Sequence, residues 1–258
     1  TVEPHNIYIL AAVGDLGGVC YDAVVKADGT GTDATIQAAI TRLGVAGGII
    51  LICPGTYTEN LVIPTLTVNL ALVGLAPDKT LIKGTTVGQH TVDIASSVTG
   101  LRIENLSFSN TQSQNLIDSA GASNEMSIVN CWFLRGNIGI AELGISGTNT
   151  LVDRCVFQSG DGGTLAQAIA MRSANARVTH CYFEGAGQKG IQLDNGTLVT
   201  IANNHWNGCS DYAIKIETYT EVIIEGNEMS GVGDGIEVST SIARVVIANN
   251  VIFLTGAS

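Results

Sequence analysis

The stretches IENLSF (103–108), IVNCWF (128–133), VDRCVF (152–157), VTHCYF (178–183), IANNHW (201–206), IEGNEM (224–229) and IANNVI (247–252) begin 25, 24, 26, 23, 23 and 23 residues apart. Self-similarity at such a period marks a solenoid, in which each repeat is one turn of chain stacked on the last. A second alternation of apolar and polar residues follows within the turns, in IGIAEL (138–143), QAIAM (167–171), KGIQL (189–193), YAIKI (212–216) and DGIEV (234–238). Period two means strand. Two or three short strands per turn, separated by Gly and Asn, cannot form a flat sheet. The reading is therefore an all-β chain, a single-stranded parallel β-helix whose rungs stack about 4.8 Å apart.

The columns of the repeat assign interior and exterior. The sixth position reads Phe108, Phe133, Phe157, Phe183, Trp206, Met229, Ile252, an apolar stack suited to the inside. At the fourth position a cysteine ladder (Cys131, Cys155, Cys181) passes into an asparagine ladder (Asn204, Asn227, Asn250). Asparagine tolerates a left-handed turn and can hydrogen-bond its counterpart one rung away, so both properties are expected of that column. Cysteines packed one turn apart behave as small hydrophobes, and no C-x-x-C pattern occurs, so free thiols are expected with no metal site. Disulfides stay open for Cys20, Cys53 and Cys209.

Upstream, TDATIQAAITRLG (32–44) carries Ile36, Ile40 and Leu43 on one helical face, Asp33 or Thr32 as N-cap and Gly44 as stop. A helix just before the first rung is the economical cap for an open solenoid end. The expected organisation is one domain over 1–258: an N-terminal segment at 1–31, the capping helix at 32–44 and about 9–10 coils at 45–258, the first rung starting at Gly48. The far end, VIFLTGAS, carries no comparable device, so another chain covering it or a truncated sequence is expected there.

Composition narrows the function. With 12 Lys and Arg against a net charge of −11, the chain lacks the clustered cations that neutralise phosphates, so no nucleic-acid partner is expected. No apolar run reaches the roughly 18 residues of a membrane span, so no membrane insertion is expected. The histidines His5, His90, His180 and His205 lack mutual metal-ligand spacing, no Ser-His-Asp arrangement can be picked out, and no cofactor motif appears.

The run KADGTGTDATIQAAITRLGVAGGIILICPGTYTENLVI (26–63) resembles the entry segment of pectin-lyase-like right-handed β-helices, found in pectin methylesterases and in bacteriophage tailspikes. The resemblance implies a right-handed coil. QAIAMRS (167–173) is similar to the Gln-Ala-Val-Ala-Leu-Arg stretch of pectin methylesterases, which two catalytic aspartates on successive coils and a distant arginine follow. Here the first aspartate's place falls near Gln188 or Lys189, Asp211 can stand for the second, and the Arg-Pro-Trp element has no match. The motifs of polygalacturonases and the carboxylate set of pectate lyases are likewise missing.

Two readings of different class follow. The first is a non-catalytic structural or receptor- and glycan-binding protein of a virion or cell surface, tailspike-like and homo-oligomeric, with a trimer favoured. Its surface would be the outward fifth position, where Trp132, Val156, Tyr182 and His205 form an apolar and aromatic stripe fit for a subunit interface or a surface polysaccharide. The alternative is a lyase, hydrolase or esterase acting on acidic glycans, with Asp211, Asp234 and Lys189 near one turn on successive coils and Lys215 and Glu237 beside them.

Overall fold

The structure, a computed structural model, describes residues 20–119, 121–142, 147–160, 162–185, 189–239 and 242–254. His5 and Gln188 lie outside the described residues. The chain winds into a right-handed parallel β-solenoid of about 10 turns with one short helix near its N-terminus. Between the first turn and the last, each turn lays a strand on each of three faces. The first face is a ten-stranded sheet running from Ala23–Val25 through Gly48–Ile52 and Leu70–Gly74 to Arg244–Ala248, every neighbouring pair parallel. The second face holds the sixth-position column, and the third holds the later alternation.

Apolar residues in exact rung-to-rung register build the interior. On the first face Ile103, Ile128, Val152, Val178, Ile201 and Ile224 lie one above another. On the second, Phe108, Phe133, Phe157, Phe183 and Trp206 stack face to face, with centroids 5.5, 4.7, 5.0 and 4.5 Å apart. The fixed rise between rungs imposes that spacing, and all five rings are fully buried.

The corner between the first and second faces corrects one expectation. The left-handed conformation belongs to the third motif position: Asn105, Asn130, Arg154, His180, Asn203, Gly226 and Asn249 all have φ between 51 and 63°. The fourth-position asparagines point inward instead. Asn227 Oδ1 accepts from the backbone N–H of Asn204 at 2.9 Å and from its amide at 3.0 Å, while Asn227 Nδ2 donates to the Ile201 carbonyl at 2.9 Å. Asn204 and Asn250 repeat this one rung to either side. The side chain thus satisfies backbone groups that the corner leaves unpaired. Cysteine fills the same column earlier in the chain, its Sγ donating weakly to the equivalent carbonyls, as Cys155 does to Ile128 O at 3.5 Å. All six cysteines are free, and Cys131, Cys155 and Cys181 are buried.

The helix is shorter than expected, Ile36–Leu43, and its N-cap is Thr35, whose hydroxyl accepts from Ala38 N–H at 3.0 Å. Thr32 and Asp33 are held elsewhere. The Thr32 hydroxyl takes the Val24 N–H at 2.8 Å, and Asp33 bridges to Val25 and pairs with Arg42 at 2.7 Å. Because Ala23–Val25 already pairs with Gly48–Ile52, the first rung starts at Ala23 rather than Gly48. The helix leaves the coil after that strand and folds back over Ala23–Val25, Gly48–Ile52 and Leu61–Ile63.

CPGTYTENL (53–61) ties this end together. The Tyr57 hydroxyl donates to the Cys53 carbonyl at 2.7 Å, and Glu59 accepts the Ile36 and Gln37 N–H groups at 3.1 and 3.0 Å. A carboxylate at a helix N-terminus meets the unpaired donors and the positive end of the dipole together.

Candidate functional site

Long strands carry the chain from the second face onto the third, as in Trp132–Glu142, His205–Tyr219 and Glu228–Val238. Gly208 and Gly231, at φ of 90 and 65°, make the bend in the last two. The outward column of the third face then reads Val62, Asp93, Asp118, Ala141, Ala170, Gln192, Lys215, Glu237 in unbroken register.

At the C-terminal end of this face, polar groups are engaged with one another. Gln167 Nε2 donates to Ile169 O at 3.1 Å and reaches Gln192 Oε1 at 3.4 Å, and the Tyr212 hydroxyl donates to the same oxygen at 3.1 Å. Lys215 pairs with Glu237 at 3.2 Å and sits 5.7 Å from the centre of the Tyr212 ring. The Glu237 carboxylate raises the Lys215 pKa, and burial, followed by the charge of Asp211, pushes the Tyr212 phenol up to about 12.

The sequence-derived trio falls on three successive rungs. Lys189 and Asp234 share one register, but Tyr212 lies on the rung between them. Asp211 falls one residue outside that register, in an irregular stretch between Cys209 and Tyr212. Among the described residues no ion pair joins the three. A methylesterase-like acid is also barred from the residue after Lys189, because a Cβ on buried Gly190 would lie 2.1 Å from the Ala213 carbonyl oxygen. On the second face Trp132, Val156, Tyr182 and His205 do form one outward column, half-buried, with Tyr182 stacked on His205 at 5.1 Å and His205 3.3 Å from Glu228.

A second polar cluster lies at the other end of the third face. Asp93 and Asp118 occupy adjacent rungs in direct register, two like charges that neighbouring strands do not need for folding. Asp118 is only 6% exposed and accepts from the Asn115 amide at 2.6 Å, whereas Asp93 faces solvent. His90 completes the group. Its Nδ1 accepts the Asn115 backbone N–H at 3.2 Å, which places the proton of the neutral ring on Nε2, 3.8 Å from Asp118 Oδ2. Asn60 Nδ2 donates to the His90 carbonyl at 2.7 Å, and Asn110 Nδ2 holds the adjacent Gln89 carbonyl at 3.1 Å. The motif that caps the helix through Glu59 therefore also fixes the histidine loop through Asn60.

The sequence reading missed this cluster because it followed the third-face alternation only from residue 138 onward. A signal existed: VDI (92–94) and IDS (117–119) place an aspartate at the same strand position 25 residues apart, which is the repeat period. The partnership of His90 with Asn115 spans 25 residues of chain and has no local mark.

With this geometry in hand, comparison with known proteins defines the class. A family model described as Pectinesterase matches residues 22–130, and one described as right handed beta helix region matches residues 145–257. The chain is a member of the pectin-lyase-like right-handed β-helix superfamily. Two Arabidopsis thaliana proteins, probable pectinesterase/pectinesterase inhibitors 16 and 35, are 48% identical over 67 residues and 44% identical over 64. Each match covers 24% of this chain but only 13% and 12% of those relatives. Among solved structures, pectin methylesterase from carrot matches at a TM-score of 0.52, with 14% identity over 92% of this chain and 83% of the other. A pectin methylesterase mutant in complex with a hexasaccharide matches at 0.56, with 16% identity over 84% and 81%. These two likenesses concern the fold.

The pectinesterase matches overturn the expectation of a non-catalytic, tailspike-like virion protein and favour the polysaccharide-active alternative. The match over 22–130 contains His90, Asp93 and Asp118, while Lys189, Asp211 and Asp234 lie outside it.

Proposed function

We propose that the chain is an enzyme acting on an acidic polysaccharide of the pectin class, hydrolysing its carboxyl esters at His90, Asp93 and Asp118. The observation that carries this reading is the cross-strand register of Asp93 and Asp118 beside an oriented histidine. The Pectinesterase family match over 22–130, which includes these residues, supports the substrate class. An extracellular setting, where such polymers occur, fits the reading.

In this scheme Asp93, open to solvent, takes a proton from the attacking water as oxygen bonds to the ester carbon. His90 Nε2–H donates to the oxyanion that develops, and Asn115, whose N–H holds Nδ1 and whose amide is anchored on Asp118, keeps the ring in place for it. As the carbonyl reforms, the ester C–O bond breaks and Asp93 returns its proton to the departing alkoxide, leaving acid and alcohol. Positioned donors of this kind are typically worth about 10²–10³ in rate and a general base about 10²–10⁴.

The test is a product screen on methyl-esterified polygalacturonate and its de-esterified form, following methanol, new reducing ends and the ultraviolet absorbance of unsaturated sugars. Methanol release alone is the expected result. Unsaturated product or reducing ends without methanol assigns a lyase or glycosidase and rejects ester hydrolysis.

A further inference from the structure

The loop 85–90, which joins the second face to the third, ends in the site histidine, and one side chain organises it. Asn60 lies one rung earlier, next to Leu61–Ile63. Its Oδ1 accepts the Thr85 and Thr86 N–H groups at 3.3 and 3.1 Å, and its Nδ2 donates to the Gln89 and His90 carbonyls at 3.3 and 2.7 Å. The start and the end of the loop thus close on a single amide. Between them the chain is exposed, with Val87 at 80%.

Asn110 closes on the loop from the rung on the other side. Fully buried, it donates through Nδ2 to the Gln89 carbonyl at 3.1 Å and to the Thr91 hydroxyl at 3.2 Å. Its Oδ1 accepts the Gln112 N–H at 2.9 Å. Two amides from opposite rungs therefore meet on the Gln89 oxygen. They meet over Gly84, where a Cβ would lie 2.6 Å from Thr91 Oγ1, 2.7 Å from Asn110 Nδ2 and 3.0 Å from Asn60 Nδ2. A side chain at that position would push the clamp apart.

The clamp bears on chemistry through the ring it carries. With the backbone at 89 and 90 held from both sides, His90 Nδ1 stays on the Asn115 N–H and the proton of the neutral ring stays on Nε2. A ring free to swing loses that bond, and with it the single tautomer. A misplacement of about 1 Å in a reacting group can cost about 10² in rate. We propose that Asn60 and Asn110 are positioning residues of the site, setting the place and tautomer of His90 by way of the loop. The effect on rate rests on the ester-hydrolase reading above, whereas the effect on the ring stands on the loop alone.

The experiment joins nitrogen NMR of the imidazoles of the whole chain at pH 8, with His90 assigned by its loss in His90→Gln, to methanol release from methyl-esterified polygalacturonate. The wild type should show a single His90 tautomer, protonated on Nε2. Asn60→Asp keeps the oxygen that holds Thr85 and Thr86 but loses the donor to His90 O. It should give a mixture of tautomers and lower kcat by roughly tenfold or more, with KM changed less than about twofold. Asn110→Ala, which empties the other side of the clamp, should do the same. Asn227→Ala weakens the coil on another face and should leave both the ring and kcat unchanged. A mixed tautomer in the wild type, a single tautomer in both loop variants, or kcat unchanged in both overturns the positioning role. So does a rise in KM at constant kcat, which puts the amides in substrate binding, or an equal ring and rate change in Asn227→Ala, which reduces the clamp to general stability. A ring fixed in the wild type and loosened in both variants, in a chain without turnover, leaves the positioning role and rejects the ester hydrolase.

Discussion

Single side chains here do work that the backbone of a coil cannot. The corner between the first two faces leaves N–H and C=O groups without ladder partners, and Asn204, Asn227 and Asn250 supply them. Asn227→Ala orphans the Asn204 N–H and the Ile201 carbonyl together, and about 2–4 kcal/mol of stability should disappear in urea denaturation. The phenols of Tyr57 and Tyr212 are pushed up to about 12, chiefly by burial. The unfolded chain ionises near pH 10 while the native chain holds its protons, so stability is intact below pH 10 and falls between about pH 10 and 12. Tyr212→Phe should flatten part of that alkaline loss in melts run across the range. The asparagine ladder could be read from spacing because it repeats. His90 could not, since what makes it chemical is an N–H and a carboxylate one rung away, a contact that the period hides.

Elements repeat the lesson at larger size. The phenylalanine stack was legible because a solenoid converts sequence period into register, and Phe157→Ala, which empties one layer between rings at 4.7 and 5.0 Å, should cost about 3–5 kcal/mol. Helix boundaries were less legible. Asp33 and Thr32 are good N-cap residues by type, but the first strand captures both, and the helix starts only where Thr35 and Glu59 meet its free N–H groups. Glu59→Ala should cost about 1 kcal/mol and raise hydrogen exchange in the first helical turn, leaving the later rungs unchanged. CPGTYTENL is thus a structural joint whose two neighbouring side chains, Glu59 and Asn60, reach the capping helix and the histidine loop.

Across the whole molecule, a repeat that stacks similar rungs makes any exception to its columns informative. Aspartates at the third-face position on two successive rungs are such an exception. The sequence resemblance to pectin methylesterases covers 26–63 and 167–173, and the Pectinesterase family match spans 22–130, so the entry segment made the fold readable, while the register of Asp93 with Asp118 appears only once the coils are stacked. The net charge of −11 sets the whole surface against an acidic polymer. KM for partly de-esterified polygalacturonate should therefore fall as ionic strength rises from roughly 0.01 to 0.15 M, where the screening length shortens from about 30 to 8 Å. The most direct test of the account is methanol release from methyl-esterified polygalacturonate by the wild-type chain and by Asp93→Asn. The account predicts release by the wild type and at least a roughly 100-fold lower rate in a variant with an unaltered denaturation midpoint. No release by the wild type, or equal release by the variant, would contradict it.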